Sequence, residues 1–294
     1  SGWRKSFFNA RLARLPDSEM LSFDATEIAT EAAEISYAQL GIGKEGSYQH
    51  QLGLILLVGQ NSHMPVLFRI LPGNITDVTT VPDMLFRFDE ITDKRRVFAA
   101  VLDRGYFSLK NFELFCDSGS RVIVAAKNSQ WVIDAMEEAI SELWSNKARI
   151  PGENFWGWTF EVEPEFEDKK KRTLWVHVYR SDRKSSLEND AFYNNLESFQ
   201  KKWINWRQDK KGKKEEQCSL LKSPLMKFFE KNGARPGKDP LIPDHDAIDQ
   251  YTRYFGMFCN VSTMQCSAKE AMSIYKTRDI IEKTFKGGKC NFDM

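Results

Sequence analysis

The sequence predicts an α/β fold in which a mixed sheet is flanked by helices. Three strand-like runs follow one another near the start of the chain, and a polar turn joins the second to the third. Two nearly continuous apolar runs then alternate with short amphipathic segments, a pattern typical of buried strands connected by helices. A long segment rich in charged and aromatic residues precedes the last helix, which indicates an insertion into the core.

The first elements are a short amphipathic helix within 1–15 and a strand at 21–28. Phe23 and Asp24 face opposite sides of that strand, because side chains alternate along it. An aspartate inside an apolar strand is costly unless it is paired or holds a cation. Asp24 is therefore a candidate ligand, and the alternative is an aspartate that caps a turn at the strand end.

Two further strands, at 51–58 and 65–71, continue the sheet as an antiparallel meander. Asp77 or Thr79 is expected to cap the helix that follows. The strand at 96–103 is apolar almost throughout, so we expect it to be buried on both faces of the sheet.

This buried strand ends in the sequence Asp-Arg-Gly-Tyr at 103–106. A carboxylate at the carboxyl end of a buried strand is a common place for an active-site residue in α/β folds. A helix at 109–116 and a strand at 121–126 follow. The order strand-strand-strand-helix-strand-helix-strand is the ribonuclease H-like arrangement, and it makes Asp103 a second candidate ligand beside Asp24.

The chain holds 178 residues between Asp103 and Glu282, far more than such a core needs. We therefore predict that 1–127 and 251–294 form the two parts of the core, with an insertion domain at 128–250. The insertion is expected to contain a pair of strands and a lysine-rich helix. These elements are placed at 156–163, 172–179 and 190–214, and a strand at 254–260 returns to the core.

The last predicted element is a helix that begins after Ser267 and runs towards Lys289. Ser267 and Glu270 have the spacing of a capping box, and apolar residues recur at spacings of three, four and seven. Gly287 and Gly288 are expected to end the helix before Lys289 is reached.

Three polar residues, Tyr275, Arg278 and Glu282, fall at i, i+3 and i+7 and share one stripe of that helix. In one interpretation the stripe is a solvated face, where Arg278 and Glu282 form a salt bridge worth roughly 0.3 kcal/mol. In the other interpretation, a phenol and cationic side chains flank the single carboxylate of Glu282. Such a set would suit a phosphodiester and a metal ion bound side by side.

The spacing Tyr-x2-Arg-x3-Glu-x6-Lys is met by Tyr275, Arg278, Glu282 and Lys289. It resembles the signature of bacterial insertion-sequence transposases of the DDE type with a Y-R-E-K motif. The resemblance covers about 21–289 and implies a ribonuclease H-like catalytic core.

The resemblance implies that Asp24, Asp103 and Glu282 are catalytic and hold two Mg²⁺ or Mn²⁺ ions. Carboxylate oxygens suit these hard cations better than they suit zinc. Two ions about 4 Å apart activate the attacking oxygen and stabilise the leaving one. The implied DNA-binding residues, which would hold a backbone phosphate or add a cation beside the metals, are Tyr275, Arg278, Lys289 and Arg104.

The implied function is cut-and-paste transposition, in which metal-dependent DNA strand cleavage is followed by strand transfer. The implied partners are double-stranded DNA, as transposon ends and target, and a second copy in a homodimer; the implied location is the bacterial cytoplasm, at the nucleoid. Two alternatives stay open: a ribonuclease H-like nuclease that cleaves without joining, and a domesticated DNA-binding relic. Because the chain lacks an initiator Met and stops just after the motif, we expect an isolated catalytic core.

Composition agrees with a protein that acts on a polyanion without entering a membrane. The 294 residues, 41% of them hydrophobic, include neither a membrane-spanning apolar run nor an initial secretion signal. Five scattered cysteines without a C-x2-C favour a reducing compartment and exclude a zinc or disulfide framework. Nineteen basic and ten acidic residues in 168–240 suggest a local polyanion contact, although such runs are also typical of solvated faces.

Overall fold

The computed structural model describes residues 2–31, 34–42, 48–94, 96–206, 219–230 and 233–291. The chain divides into two units. The first comprises Ser1–Ala148, Gly157–Val178 and Cys259–Met294, and the second comprises Arg149–Trp156 and Tyr179–Phe258. None of the helices in these described ranges is both long enough and apolar enough to cross a membrane.

Each of the predicted strands is present. The strands are β1 (Leu21–Ala29), β2 (Gln39–Ile42), β3 (Tyr48–Gly59), β4 (Pro65–Pro72), β5 (Ala99–Leu102), β6 (Arg121–Ala125), β7 (Phe155–Val162), β8 (Leu174–Ser181) and β9 (Met257–Ser262). Among the described residues they form one nine-stranded sheet in the order β2-β3-β1-β5-β6-β9-β8-β7, with β4 paired to β3. Strand β2 was not predicted, because its short glycine-containing sequence has the composition of a loop.

Helices connect and flank these strands. They are α1 (Gly2–Leu12), α2 (Val81–Thr92), α3 (Leu109–Asp117), α4 (Gln130–Leu143), α5 (Asp182–Ile204), α6 (His245–Thr252), α7 (Ala268–Lys276) and α8 (Asp279–Asn291). Short 3-10 turns occur at Asp77–Thr79, Arg104–Tyr106, Asn146–Ala148 and Pro224–Phe228.

The strand directions confirm the predicted fold class. Strand β1 pairs antiparallel with β3 and parallel with β5, β3 pairs antiparallel with β4, and β5 pairs parallel with β6. With α2 and α3 between the later strands, this is the predicted ribonuclease H-like order in a mixed sheet flanked by helices. The central β5 is buried along its whole length, as expected for a strand covered on both faces.

The two strands predicted within the insertion are present as β7 and β8. They extend the main sheet beyond β9, so this part of 128–250 contributes to the sheet that also contains the core strands. The domain boundaries after 127 and after 250 stay a prediction.

The second unit has its own hydrophobic core. Helix α5 begins earlier than the predicted lysine-rich helix, and residues 207–214 of that prediction lie outside the described ranges. Its apolar face, with Phe192, Phe199 and the fully buried Trp203, packs against Phe228 and Phe229. Trp203 is therefore a core residue.

The prediction of one continuous helix after Ser267 was wrong, because the chain forms α7 and α8 with a turn at Thr277 and Arg278. The predicted capping box of Ser267 and Glu270 is confirmed. At the turn the Thr277 hydroxyl donates to the Ile274 carbonyl (2.6 Å). The Ile280 and Ile281 amides donate to carbonyls three residues earlier, and such tighter bonds interrupt an α-helix.

The double glycine does not end the second helix, which continues to Asn291. Glycine costs a helix about 1 kcal/mol relative to alanine but terminates it only when the backbone turns left-handed. Gly287 has no such positive φ, so the predicted stop before Lys289 was wrong.

Candidate active site

Strands β1 and β5 carry the first two predicted carboxylates to the same edge of the sheet. The parallel register of β1 and β5 pairs Phe23 with Leu102. Asp24 directly follows Phe23, and Asp103 directly follows Leu102. Phe23 and Leu102 are both fully buried, whereas Asp24 and Asp103 are partly exposed. The Asp103 carboxylate caps the turn that follows, since its Oδ1 accepts the Arg104 amide at 2.7 Å.

The fold makes the Asp24 carboxyl a weaker acid than usual. Burial raises its pKa to about 6, although the hydrogen bond from the Ala25 amide (2.9 Å) and the charge of Arg278 act in the opposite direction. The charges of Asp103 and Asp77 raise the pKa of Asp24 further. Concentrated negative charge and a partly buried carboxylate are typical of a site built for a positive ligand.

Arg278 joins two of the predicted carboxylates. Its Nη1 lies 3.1 Å from Asp103 Oδ2, and its Nη2 lies 2.8 Å from Glu282 Oε1. Only 13% of the Arg278 side chain is exposed. Burial acts to lower the pKa of the guanidinium, but nearby Tyr275, Asp103 and Asp24 give it a raised pKa overall, so it stays charged.

Tyr275 completes the contacts between the two C-terminal helices and β5. Its ring centroid lies 5.5 Å from the Arg278 guanidinium carbon, within the range of a cation–π contact. Its hydroxyl makes a long contact of 3.5 Å with Asp103 Oδ1. Burial raises the pKa of the phenol to about 12, so Tyr275 is neutral at physiological pH and keeps its proton for donation.

Asp77 is a further carboxylate near this group, and the sequence suggested only a capping role for it. The prediction that Asp77 or Thr79 caps the following helix was wrong, because the N-cap of α2 is Thr80. Asp77 instead starts a 3-10 turn that faces the turn after Asp103. Its carboxylate approaches Gly105 so closely that a Cβ there would lie 2.9 Å from Asp77 Oδ2.

Asn111 holds these two turns together. It is 3% exposed, and its side-chain amide donates to the carbonyl of Val78 (3.0 Å) and to that of Tyr106 (2.8 Å). The pKa of Asp77 is raised, first by burial and then by the charges of Glu27 and Asp103. No local sequence signal distinguishes Asp77 from an ordinary turn aspartate, since its proximity to Asp103 arises only from the tertiary fold.

The donor types at this edge suit a divalent cation, whereas the present arrangement is closed to one. Carboxylate oxygens are the ligands that Mg²⁺ and Mn²⁺ prefer. In the part of the chain that the structure describes, no group of three His, Cys, Asp or Glu side chains is placed to hold a metal ion. Arg278 lies between Asp103 and Glu282 and satisfies both of these acids.

Comparison with known proteins identifies the family. A family model described as a transposase DDE domain matches residues 16–293. The chain belongs to the transposase DDE domain family. Transposases of this family generally depend on divalent metal ions, which agrees with the oxygen-rich edge of this domain.

A solved structure is also similar to this transposase domain. It is the cryo-EM structure of the piggyBac transposase synaptic complex with hairpin DNA, with a TM-score of 0.45 and 7% sequence identity. The similarity covers 92% of this chain and 40% of that chain. No curated protein matches the sequence.

The structure describes the other predicted DNA-binding residues of the transposase domain to different extents. Arg104 is exposed directly after Asp103, where a cation was expected. The backbone of Lys289 lies in α8, and its side chain is outside the described part of the structure. Arg278 and Glu282 form the salt bridge of the first interpretation, but Arg278 also binds Asp103. The interpretation of the stripe as a phosphate and metal site stays a prediction.

Proposed function

We propose that this chain is the catalytic core of a cut-and-paste DNA transposase, with Asp24, Asp103 and Glu282 as its catalytic carboxylates. The observation that carries the proposal is the direct contact of one guanidinium with two of these acids, beside the strand register that sets Asp24 next to Asp103. These contacts connect Arg278 to two acids that lie 179 positions apart in the sequence, Asp103 and Glu282.

In this proposal the three carboxylates hold two Mg²⁺ or Mn²⁺ ions, which would supply charge stabilisation for an in-line displacement at phosphorus. Asp24, with a pKa of about 6, is ionised at pH 7 and above and protonated in mild acid. Its ability to hold a cation is therefore expected to fall below pH 6.

The DNA backbone is the proposed ligand of the cationic side of the site. Tyr275, Arg278, Lys289 and Arg104 are assigned to phosphate contacts, in line with the Y-R-E-K spacing. A guanidinium offers two parallel donors to a phosphate, and an ammonium offers a point charge. The proposed assembly is a homodimer on double-stranded transposon ends and target DNA, at the bacterial nucleoid.

The test uses the DNA that flanks the coding sequence, because a transposase recognises paired terminal inverted repeats. Duplexes carrying those repeats should be cleaved by the wild-type chain with Mg²⁺ and joined to a target duplex. Asp24→Asn, Asp103→Asn and Glu282→Gln should each reduce cleavage by roughly a thousandfold or more, since each removes a ligand charge. Asp239→Asn, a carboxylate of the second unit that pairs with Arg235, serves as the matched control.

Three results would count against the proposal. Cleavage that persists in excess chelator would contradict a metal-dependent site. Cleavage of the repeats without joining would favour the nuclease alternative. Binding without any cleavage, in wild type and variants alike, would favour the DNA-binding relic.

A further inference from the structure

Arg278 occupies the position between two acids that a divalent cation would also need. Its two terminal nitrogens bind Asp103 at 3.1 Å and Glu282 at 2.8 Å, and its side chain is 13% exposed. Ion pairs on exposed helix surfaces hold their partners loosely. Here the guanidinium is largely enclosed, whereas 45% of the Asp103 side chain and 58% of the Glu282 side chain are exposed, so both carboxylates stay accessible to a cation from solvent.

The two acids bound by Arg278 belong to different elements, which makes the contact tertiary. Asp103 follows β5 and caps a 3-10 turn, whereas Glu282 lies in the first turn of α8. Arg278 itself lies in the turn between α7 and α8, where the helix is interrupted. Rotation of the Arg278 side chain alone is enough to change its partners, because the backbone hydrogen bonds do not involve the guanidinium.

We propose that Arg278 is a latch that couples DNA binding to metal binding. Without DNA its guanidinium neutralises Asp103 and Glu282 and competes with a divalent cation for them. A DNA phosphate offers the same guanidinium a bidentate anionic partner, and Arg278 then releases the two carboxylates. Metal ions and DNA thus bind cooperatively, and the free chain is protected from cleaving DNA before it is engaged on a substrate.

Tyr275 supports this exchange of partners. Its ring lies under the guanidinium and its hydroxyl approaches Asp103, so it contacts Arg278 in the latched state. Because the aromatic face stabilises a cation without neutralising it, Arg278 can remain on this ring when its hydrogen bonds move to a phosphate.

The inference rests on the proposed metal site and is tested by ion affinity rather than by cleavage. Mn²⁺ binding to the full chain is measured by the loss of the free-ion electron paramagnetic resonance signal, with and without a saturating DNA duplex. For the wild type, we expect DNA to increase Mn²⁺ affinity by roughly fivefold or more, the usual range for coupled sites. Arg278→Gln should bind Mn²⁺ more tightly than wild type without DNA, and DNA should then add little.

Two further variants separate the possible failures. Arg235→Gln breaks an i,i+4 pair with Asp239 in the second unit and should behave as wild type. If Asp103→Asn binds Mn²⁺ as well as wild type, the proposed metal site fails and the latch fails with it. If Asp103→Asn loses Mn²⁺ while Arg278→Gln binds it no more tightly than wild type, the metal site stands and the latch is overturned.

Discussion

Two groups of partly or fully buried polar side chains lie in the first unit, and they differ in how their charges and hydrogen bonds are satisfied. Around His177 every polar atom has a neutral partner. The His177 ring nitrogens lie 2.9 Å from Ser262 Oγ and 3.0 Å from Thr159 Oγ1. Since the Ser262 hydroxyl donates to the Met264 carbonyl, it accepts from His177, and burial lowers the pKa of the ring to about 4.

The second group is the acidic edge of the sheet, formed by Asp24, Asp77 and Asp103, where negative charge is concentrated. Burial raises the pKa of Asp24 and of Asp77, and neighbouring acids raise both further: Asp103 and Asp77 act on Asp24, and Glu27 and Asp103 act on Asp77. Neutral networks with complete hydrogen bonding stabilise one packing arrangement. Concentrated like charge destabilises the fold and persists where a ligand supplies the missing counter-charge. We therefore propose that the His177 network serves the fold and that the acidic edge serves function.

The largest expected effect on stability comes from breaking the His177 network. His177→Leu should lower the free energy of unfolding by about 3 kcal/mol at pH 7.5, because it removes both hydrogen bonds of the buried ring, one with the half-buried Thr159 and one with Ser262. Chemical denaturation monitored by tryptophan fluorescence measures this change. An unchanged free energy of unfolding would show that the network does not stabilise the fold.

The pH dependence of the free energy of unfolding gives a second test of the His177 network. The folded-state pKa of His177 is depressed from 6.5 to about 4, so the folded state binds the proton less tightly than the unfolded state does. The contribution to stability is complete above pH 6.5 and is lost as pH falls towards 4. His177→Leu should remove this part of the acid sensitivity, and a parallel loss in wild type and variant would contradict the assignment.

A smaller effect of opposite sign is expected at the acidic edge. The folded-state pKa of Asp24 is raised from 3.8 to about 6, so its charged form opposes folding as pH rises through that range. Without metal, Asp24→Asn should raise the free energy of unfolding by about 2 kcal/mol at pH 8, and by almost nothing below pH 4. Asp239→Asn, whose carboxyl has a lowered pKa beside Arg235, should give no increase.

The smallest predicted effect concerns single phosphate contacts. Arg278→Ala and Lys289→Ala should each weaken binding to cleaved transposon-end DNA. Each should also reduce the log–log salt slope of binding by roughly one unit. If Arg278 only forms ion pairs within the protein, the salt slope of Arg278→Ala will equal the wild-type value, and only the free energy of unfolding will change slightly. Salt titrations with folded variants distinguish these outcomes.

Much of this organisation follows from local rules that the sequence expresses directly. Side-chain alternation isolates Asp24, the end of an apolar strand marks Asp103, and the four-residue spacing marks Arg278 with Glu282. The turn at Thr277 was missed because the apolar periodicity continues through it. Asp77 was missed because its significance depends on Asn111 drawing two distant turns together, a tertiary effect that no local pattern encodes.

The most direct test of the central claim is the thermal shift caused by Mn²⁺ at pH 8 in three proteins. If the acidic edge binds the ion and the His177 network serves only the fold, Mn²⁺ will raise the Tm of the wild type and of His177→Leu alike. It will leave the Tm of Asp24→Asn unchanged. An equal rise in Asp24→Asn, or no rise in the wild type even at saturating Mn²⁺, would contradict the account.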